Sequence, residues 1–247
     1  MRYFIELSYD GSPFVGWQRQ PKGDSVQSCL EDAFKTLLQK PISVVGAGRT
    51  DAGVHARQLF AHVDLDDQVD QNLKFRLNKL LPKEIAVNSI LAVTDDAHAR
   101  FDAKGRRYSY HITTQKDPFL KKRSYYFSKT LDIELMNQAT TDMLDHDDFK
   151  CFSKSRTDVK TYLCDIQEAY WEQNGSDLVF FIQANRFLRN MVRAIVGTLI
   201  EVGLKKISID DFKSILLSRD RSKAGYSVPA HGLYLEKVYY PKHIFAV

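Results

Sequence analysis

The sequence predicts an α+β protein built as two halves, each mixing strands with helices, that share a central, mostly antiparallel sheet. Three observations lead there. Apolar residues alternate at period two in several short runs, they recur at helical spacing between those runs, and no low-complexity linker interrupts the pattern. With 247 residues, 44% of them hydrophobic, the chain can bury a substantial core, which argues against intrinsic disorder. The turn at 102–105 is the best boundary, dividing the chain into 1–104 and 105–247.

Taken in order, Tyr3, Ile5, Leu7 and Tyr9 share one face of a strand over 2–9 that ends at Asp10-Gly11. A polar loop punctuated by Gly and Pro runs to about Ser25. Val26, Cys29, Leu30, Ala33, Phe34, Leu37 and Leu38 then mark an amphipathic helix. Buried strands over 42–45 and 59–65, a helix over 69–81 stopped before Pro82, and a strand over 85–93 complete the first half. The second half opens with a strand over 107–113 and a helix over 133–144. A hairpin follows, joining 162–172 to 178–184 around Asn174-Gly175. Phe187, Leu188, Met191, Val192, Ile195, Val196, Leu199 and Ile200 form the apolar stripe of the clearest helix, with Gly203 as its stop. Ser208 and Asp211 have the form of a capping box before a helix over 212–217, and 232–240 is a closing strand.

Charge is concentrated rather than spread. Lys and Arg number 35 against 31 Asp and Glu, a net charge of only +4, yet nine cations face two carboxylates between Arg100 and Lys129. Aromatics interleave that stretch at Phe101, Tyr108, Tyr110, Phe119, Tyr125, Tyr126 and Phe127. Unpaired nucleotides need cations for phosphates and flat faces for bases, so the stretch suits RNA, although an ordinary strand with a solvated face would also show it. Cys29, Cys151 and Cys164 form no CxxC pair, so neither a disulfide framework nor a cysteine zinc site is expected, and a reduced, cytoplasmic setting fits best. The N-terminus lacks the basic and apolar regions of a signal peptide, and no apolar run approaches the length of a membrane span.

The unusual segment is Gly48-Arg49-Thr50-Asp51-Ala52-Gly53-Val54-His55-Ala56, set after a buried strand. Glycines at 46, 48 and 53 permit positive φ or a close ligand approach and place Asp51 on a tight, irregular loop, where a carboxylate suits catalysis; it could equally bond nearby backbone in a turn. His55 lies four residues beyond Asp51, but HExxH is absent and a metal site is not expected. Cys151 has no activating motif beside it, and no Walker loop or dinucleotide fingerprint follows a predicted strand. Arg189 and Arg193 fall on the helix face away from the apolar stripe, and Trp17 is either a core anchor or a nucleotide contact.

Together these segments resemble the tRNA pseudouridine synthase A family, which isomerises uridines in the anticodon stem-loop. The resemblance runs end to end. It begins with Tyr9-Asp10-Gly11 and Gly16-Trp17-Gln18-Arg19-Gln20, continues through GRTDAGVHA at 48–56, and then His98-Ala99-Arg100-Phe101 with Arg106-Arg107-Tyr108-Ser109-Tyr110. Met191-Val192-Arg193, Val196-Gly197, Pro229-Ala230 and Gly232-Leu233-Tyr234-Leu235 complete it.

The resemblance implies a pseudouridine synthase fold, with helices on one face of the sheet and a basic cleft between the halves. It makes Asp51 the essential carboxylate and Arg49 the residue that enters the RNA and holds the target uridine out of its helix. Tyr108 would pack on the flipped uracil, Arg193 would pair with Asp51, and Leu235 would line the substrate site. Arg100, Arg106, Arg107 and the cluster from Lys121 to Arg123 would meet phosphates. The implied activity modifies tRNA positions 38, 39 and 40, without cofactor or metal, in a cytoplasmic homodimer. Three routes stay open for the carboxylate: attack at C1′, attack at C6, or removal of the C2′ proton to give a glycal, the last being preferred. A catalytically silent tRNA-binding protein is the alternative, and a metal-dependent RNA hydrolase built on Asp51 and His55 is a further rival.

Overall fold

The computed structural model describes residues 1–66, 68–154 and 159–245, and its chain divides into two compact units. One comprises Met1–Lys104 with Tyr234–Val247, the other Gly105–Leu233. The break after Lys104 falls at the expected turn, but the last segment joins the first unit instead of the second. Its reason is strand pairing: β9 (Leu233–Tyr239) runs parallel to β3 (His55–Asp64), with Tyr234 opposite His55 and Leu235 opposite Ala56.

In the first unit β1 (Arg2–Tyr9) is flanked by β3 and by β4 (Ile85–Ala92), antiparallel to both. β1 buries Tyr3, Phe4, Ile5, Leu7 and Tyr9, more than an alternating pattern requires, because Phe4 on the opposite face is covered by the rings of Phe60, Tyr240 and Phe245. Helix α1 (Val26–Leu38) starts at Ser25, whose hydroxyl accepts the Ser28 N–H while the Ser28 hydroxyl accepts the Ser25 N–H. It buries Val26, Leu30, Ala33 and Phe34.

Three elements here differ from expectation. The strand expected over 59–65 starts earlier, as β3 from His55, where Ala56 pairs with both Tyr9 and Leu235. The strand expected over 42–45 contracts to β2 (Val45–Gly46), because α1 takes the backbone bonds of Val44: Gln27 Nε2 donates to its carbonyl at 2.9 Å and Glu31 Oε1 accepts from its N–H at 3.4 Å. The helix expected over 69–81 is only α2 (Leu73–Leu80). Ahead of it the Val69 N–H donates to the Tyr3 hydroxyl and the Asn72 N–H to Asp70 Oδ1, a local turn that displaces the first helical turn.

In the second unit β5 (Gly105–Thr113), β8 (Asp177–Ala184) and β7 (Ile166–Asn174) form an antiparallel sheet, and β6 (Tyr125–Tyr126) runs parallel to β5. Helix α3 (Ile133–Leu144) packs on β7, where the Asn137 amide accepts from Trp171 N and donates to Trp171 O at 2.7 and 3.1 Å. Helix α4 (Met191–Gly203) is buried on every side except at Arg193 and Glu201, so it is an interior helix rather than a half-solvated one. Its stripe was expected from Phe187, but Asn190 takes φ 67, in the left-handed region, and the helix starts one residue later. Arg189 therefore lies outside it. Helix α5 (Ile209–Ser218) carries the expected capping box, Ser208 with Asp211. Among the described residues no helix is long and apolar enough to cross a membrane.

Candidate active site

The loop carrying Asp51 joins β2 to β3, and its shape follows from bonds made by residues far away in sequence. Ala47 N donates to Phe60 O at 2.7 Å, closing the end of β2. Val54 N donates to Asp51 O at 3.1 Å, making residues 51–54 a turn whose third residue, Gly53, has φ 79. A side chain at Gly53 would be strained, so that glycine is required for conformation. The Asp51 side chain stays partly exposed at the start of this turn.

Two of the sequence motifs prove to be the walls of that loop. The Trp17 N–H donates to Thr50 O at 3.1 Å, and the hydroxyls of Tyr9 and buried Thr50 lie 2.8 Å apart in a hydrogen bond. Gly16, at φ 109, sits so close that a Cβ would come within 2.6 Å of Thr50 O. Gly11 is tighter still, at 2.0 Å from Val54 O, and its N–H donates to His55 Nδ1 at 3.1 Å. The segment 9–17 thus holds 50–55 by backbone contact, which no side chain at 11 or 16 would permit. Trp17 is buried against Gly46, whose Cβ would meet the indole Cε2 at 2.5 Å, and this resolves Trp17 as a core anchor.

His55 is 2% exposed and its ring stacks on Tyr234 at 4.5 Å, with Asp10 Oδ1 3.2 Å from Nδ1. It is a packing residue that ties β9 to the floor of the loop. Its Nδ1 accepts the Gly11 N–H, and among the described residues no group of three or more His, Cys, Asp or Glu side chains is placed to hold a metal ion. Leu235, expected to line the substrate site, is 3% exposed and belongs to the core of the first unit. Arg49 and Arg100 are exposed, the latter with its guanidinium 5.7 Å from the Phe101 ring centre. Behind Arg100, burial first and the neighbouring Arg2 second push the His62 imidazole down to about 4. Its Nδ1 accepts the Ala99 N–H at 3.1 Å and so fixes the 98–101 turn.

The second unit gathers the remaining motifs. Tyr108 lies on β5 opposite Ile182, partly exposed, with its ring edge-on to Phe187 at 5.1 Å. Arg193 Nε donates to Val228 O at 2.7 Å while Val228 N donates to Arg193 O at 3.2 Å, so side chain and backbone together clamp the segment before Pro229. Gly197 lets that segment cross α4, since a Cβ there would stand 1.8 Å from Tyr226 O. The Tyr110 hydroxyl, pushed up by burial and therefore protonated, donates to Pro229 O at 2.8 Å. Arg106 Nη1 donates to Asn185 O at 3.0 Å. Arg107 bonds the Tyr170 hydroxyl at 2.8 Å, lies 3.5 Å from Glu168 and covers the Phe181 ring, so its guanidinium is engaged on its own sheet.

Comparison with known proteins places the chain in a family. A family described as tRNA pseudouridine synthase matches residues 7–102 and 144–241, spans that include the Asp51 turn, both of its walls, and α4 with the segment clamped to it. The chain belongs to the tRNA pseudouridine synthase family. A protein of Parabacteroides distasonis named tRNA pseudouridine synthase A is 52% identical over 100% of this chain and 98% of its own length. Proteins of the same name from Porphyromonas gingivalis and Bacillus subtilis are 52% and 40% identical, covering 99% and 97% of this chain and 99% of each relative. In this chain the Tyr9 to Gln20 segment supports the backbone of the Asp51 turn. Sequence reading missed the Thr50 to Tyr9 hydrogen bond and the Gly16 fit, because both join residues more than thirty positions apart.

Proposed function

We propose that this protein isomerises uridine to pseudouridine in tRNA, at positions 38, 39 and 40 of the anticodon stem-loop, with Asp51 as the essential carboxylate. The observation that carries the reading is the Asp51 turn: a partly exposed carboxylate on a backbone fixed from two sides, within the GRTDAGVHA block. The reaction breaks N1–C1′, turns the uracil, forms C5–C1′ and releases the C5 proton, while N1 gains one. It neither oxidises nor reduces, and it needs a positioned carboxylate more than any cofactor.

Flipping a stacked nucleotide costs a few kcal/mol, and exposed Arg49, next but one to Asp51, is suited to fill the space left behind. Tyr108 packs on the flipped uracil, and Arg193 supports the carboxylate's charge. Arg100 and Arg106 meet phosphates. Arg107, with its guanidinium on Tyr170 and Glu168, contributes through orientation of β5, and buried Leu235 through the register of β9 on β3. The enzyme is a cytoplasmic homodimer in this reading.

Tritium release from tRNA labelled at C5 of uridine tests it directly. Release by the native protein, none by Asp51→Asn with tRNA affinity preserved, and unchanged RNA length are expected. No release by the native protein across a varied tRNA pool would leave the silent binder, and shortened RNA the hydrolase.

A further inference from the structure

One feature of the second unit lies between the two matched spans, which end at 102 and resume at 144. Residues Pro118–Leu120 form a single 3-10 turn in which no residue is buried, and Phe119 at its centre is 86% exposed. An apolar ring so exposed gains nothing from the fold it belongs to. Yet the turn is not loose. Asp117 Oδ1 accepts the Phe119 N–H at 2.8 Å, Pro118 fixes its own φ, and Leu120 O accepts from both Arg123 N and Ser124 N at 2.9 and 3.0 Å. Both ends are tied to the sheet: Thr114 N donates to Ser176 O at 2.8 Å, and Tyr125–Tyr126 pair with β5.

The surroundings are cationic. From Lys116 to Lys129 there are five cations (Lys116, Lys121, Lys122, Arg123 and Lys129) against Asp117, a local +4 equal to the charge of the whole chain, so the rest of the sequence sums to zero. A protein-binding patch concentrates apolar residues and depletes lysine, the reverse of this composition. A flat hydrocarbon face amid lysines matches an unpaired nucleotide, whose base stacks while its phosphates meet the cations. Because the turn is already ordered, the ring loses little conformational freedom on binding.

We propose that Phe119 is a stacking platform for an unpaired base of tRNA, with Lys121 and Lys122 on the adjoining phosphates. This rests on tRNA being the substrate and adds a contact made through a segment of the second unit.

The test combines direct tRNA binding with tritium release. Phe119→Ala should raise Kd and KM about ten-fold, toward the low end of what one stacked base contributes, with kcat retained. Phe119→Tyr, which keeps the ring, should restore affinity, and Phe119→Leu, which keeps only apolar bulk, should not. Lys121→Gln with Lys122→Gln should flatten the salt dependence of binding. Unchanged Kd in Phe119→Ala overturns the proposal. So does restoration by Phe119→Leu together with a fall in the sedimenting mass of Phe119→Ala alone, which would mark a contact between protein chains, or a loss confined to binding of phosphatidylserine vesicles. Absence of tritium release by the native protein would count against the proposed function alone, since the binding arm still reads the stacking contact.

Discussion

Gly16→Ala puts the support of the catalytic turn to a quantitative test. The new methyl carbon would stand 2.6 Å from Thr50 O and 3.2 Å from Ala52 N, where ordinary contact begins at 3.4 Å. Relief therefore requires a shift of about 0.8 Å in the backbone next to Asp51. The neighbour cannot yield cheaply, because Thr50 O accepts the Trp17 N–H and the Thr50 hydroxyl bonds Tyr9. In addition, φ 109 at position 16 costs a residue with a side chain about 1–3 kcal/mol. Adding a similar cost for the forced packing gives a loss of about 3 kcal/mol or more, or a melting temperature roughly 10 °C lower. A catalytic group misplaced by about 1 Å can lose on the order of 100-fold in rate. We expect kcat in tritium release to fall 10- to 100-fold at a temperature where the variant is still folded, with tRNA affinity nearly unchanged. Gly48→Ala is the matched control: it has nothing within 4 Å of the added carbon, so stability should not move. A Gly16→Ala enzyme with native melting temperature and native kcat would refute the argument that the 9–17 segment sets the position of Asp51.

Two further outcomes are expected. Tyr9→Phe deprives the buried Thr50 hydroxyl of its partner and should cost about 1–2 kcal/mol by urea denaturation, while Tyr9→Phe with Thr50→Val should cost less than the sum of the single changes; strict additivity would show that the 2.8 Å bond contributes nothing. His62 is neutral in the fold down to about pH 4, against an ordinary value of 6.5, so the unfolded chain takes up a proton that the folded one refuses as pH falls through that window. Stability should drop by about 1–2 kcal/mol between pH 7 and pH 5 after allowance for solvent screening, and His62→Gln should remove that part of the slope; equal slopes in both proteins would overturn the assignment.

Locally encoded features were legible in the sequence. Period-two spacing located β1, and the pair Ser208 and Asp211 marked the start of α5, because a strand face and a capping box are each written within a few residues. Features decided by distant partners were not. Val44 looks like strand, but Gln27 and Glu31 of α1 take its backbone groups. The start of α2 is settled by Tyr3 and Asp70, and the start of α4 by the left-handed Asn190, whose amide reaches Ser227. At the site, the glycine-rich block pointed to Asp51, but the work of Gly11, Gly16 and Thr50 depends on contacts that only the folded backbone brings together. Arg107 and Leu235 illustrate the opposite limit: the resemblance implied contact with substrate for both, whereas the Arg107 guanidinium is bonded to Tyr170 and Leu235 is buried, neither of which is written in the local sequence.

The return of Tyr234–Val247 to the first unit bears on how the chain is made. Arg57 and its partner Glu236 are separated by 179 positions, so of the two units the one whose synthesis begins earlier is finished later. At about 5–20 residues per second, the intervening segment takes on the order of ten seconds to synthesise, during which β3 has an open edge and His55 lacks the ring that will cover it. During that interval the strand edge is exposed to wrong partners, and a nascent chain stalled before Tyr234 would carry the Asp51 loop on an incomplete sheet. The carboxylate is encoded in the β2–β3 loop, but the sheet beneath it is completed only by β9, far downstream.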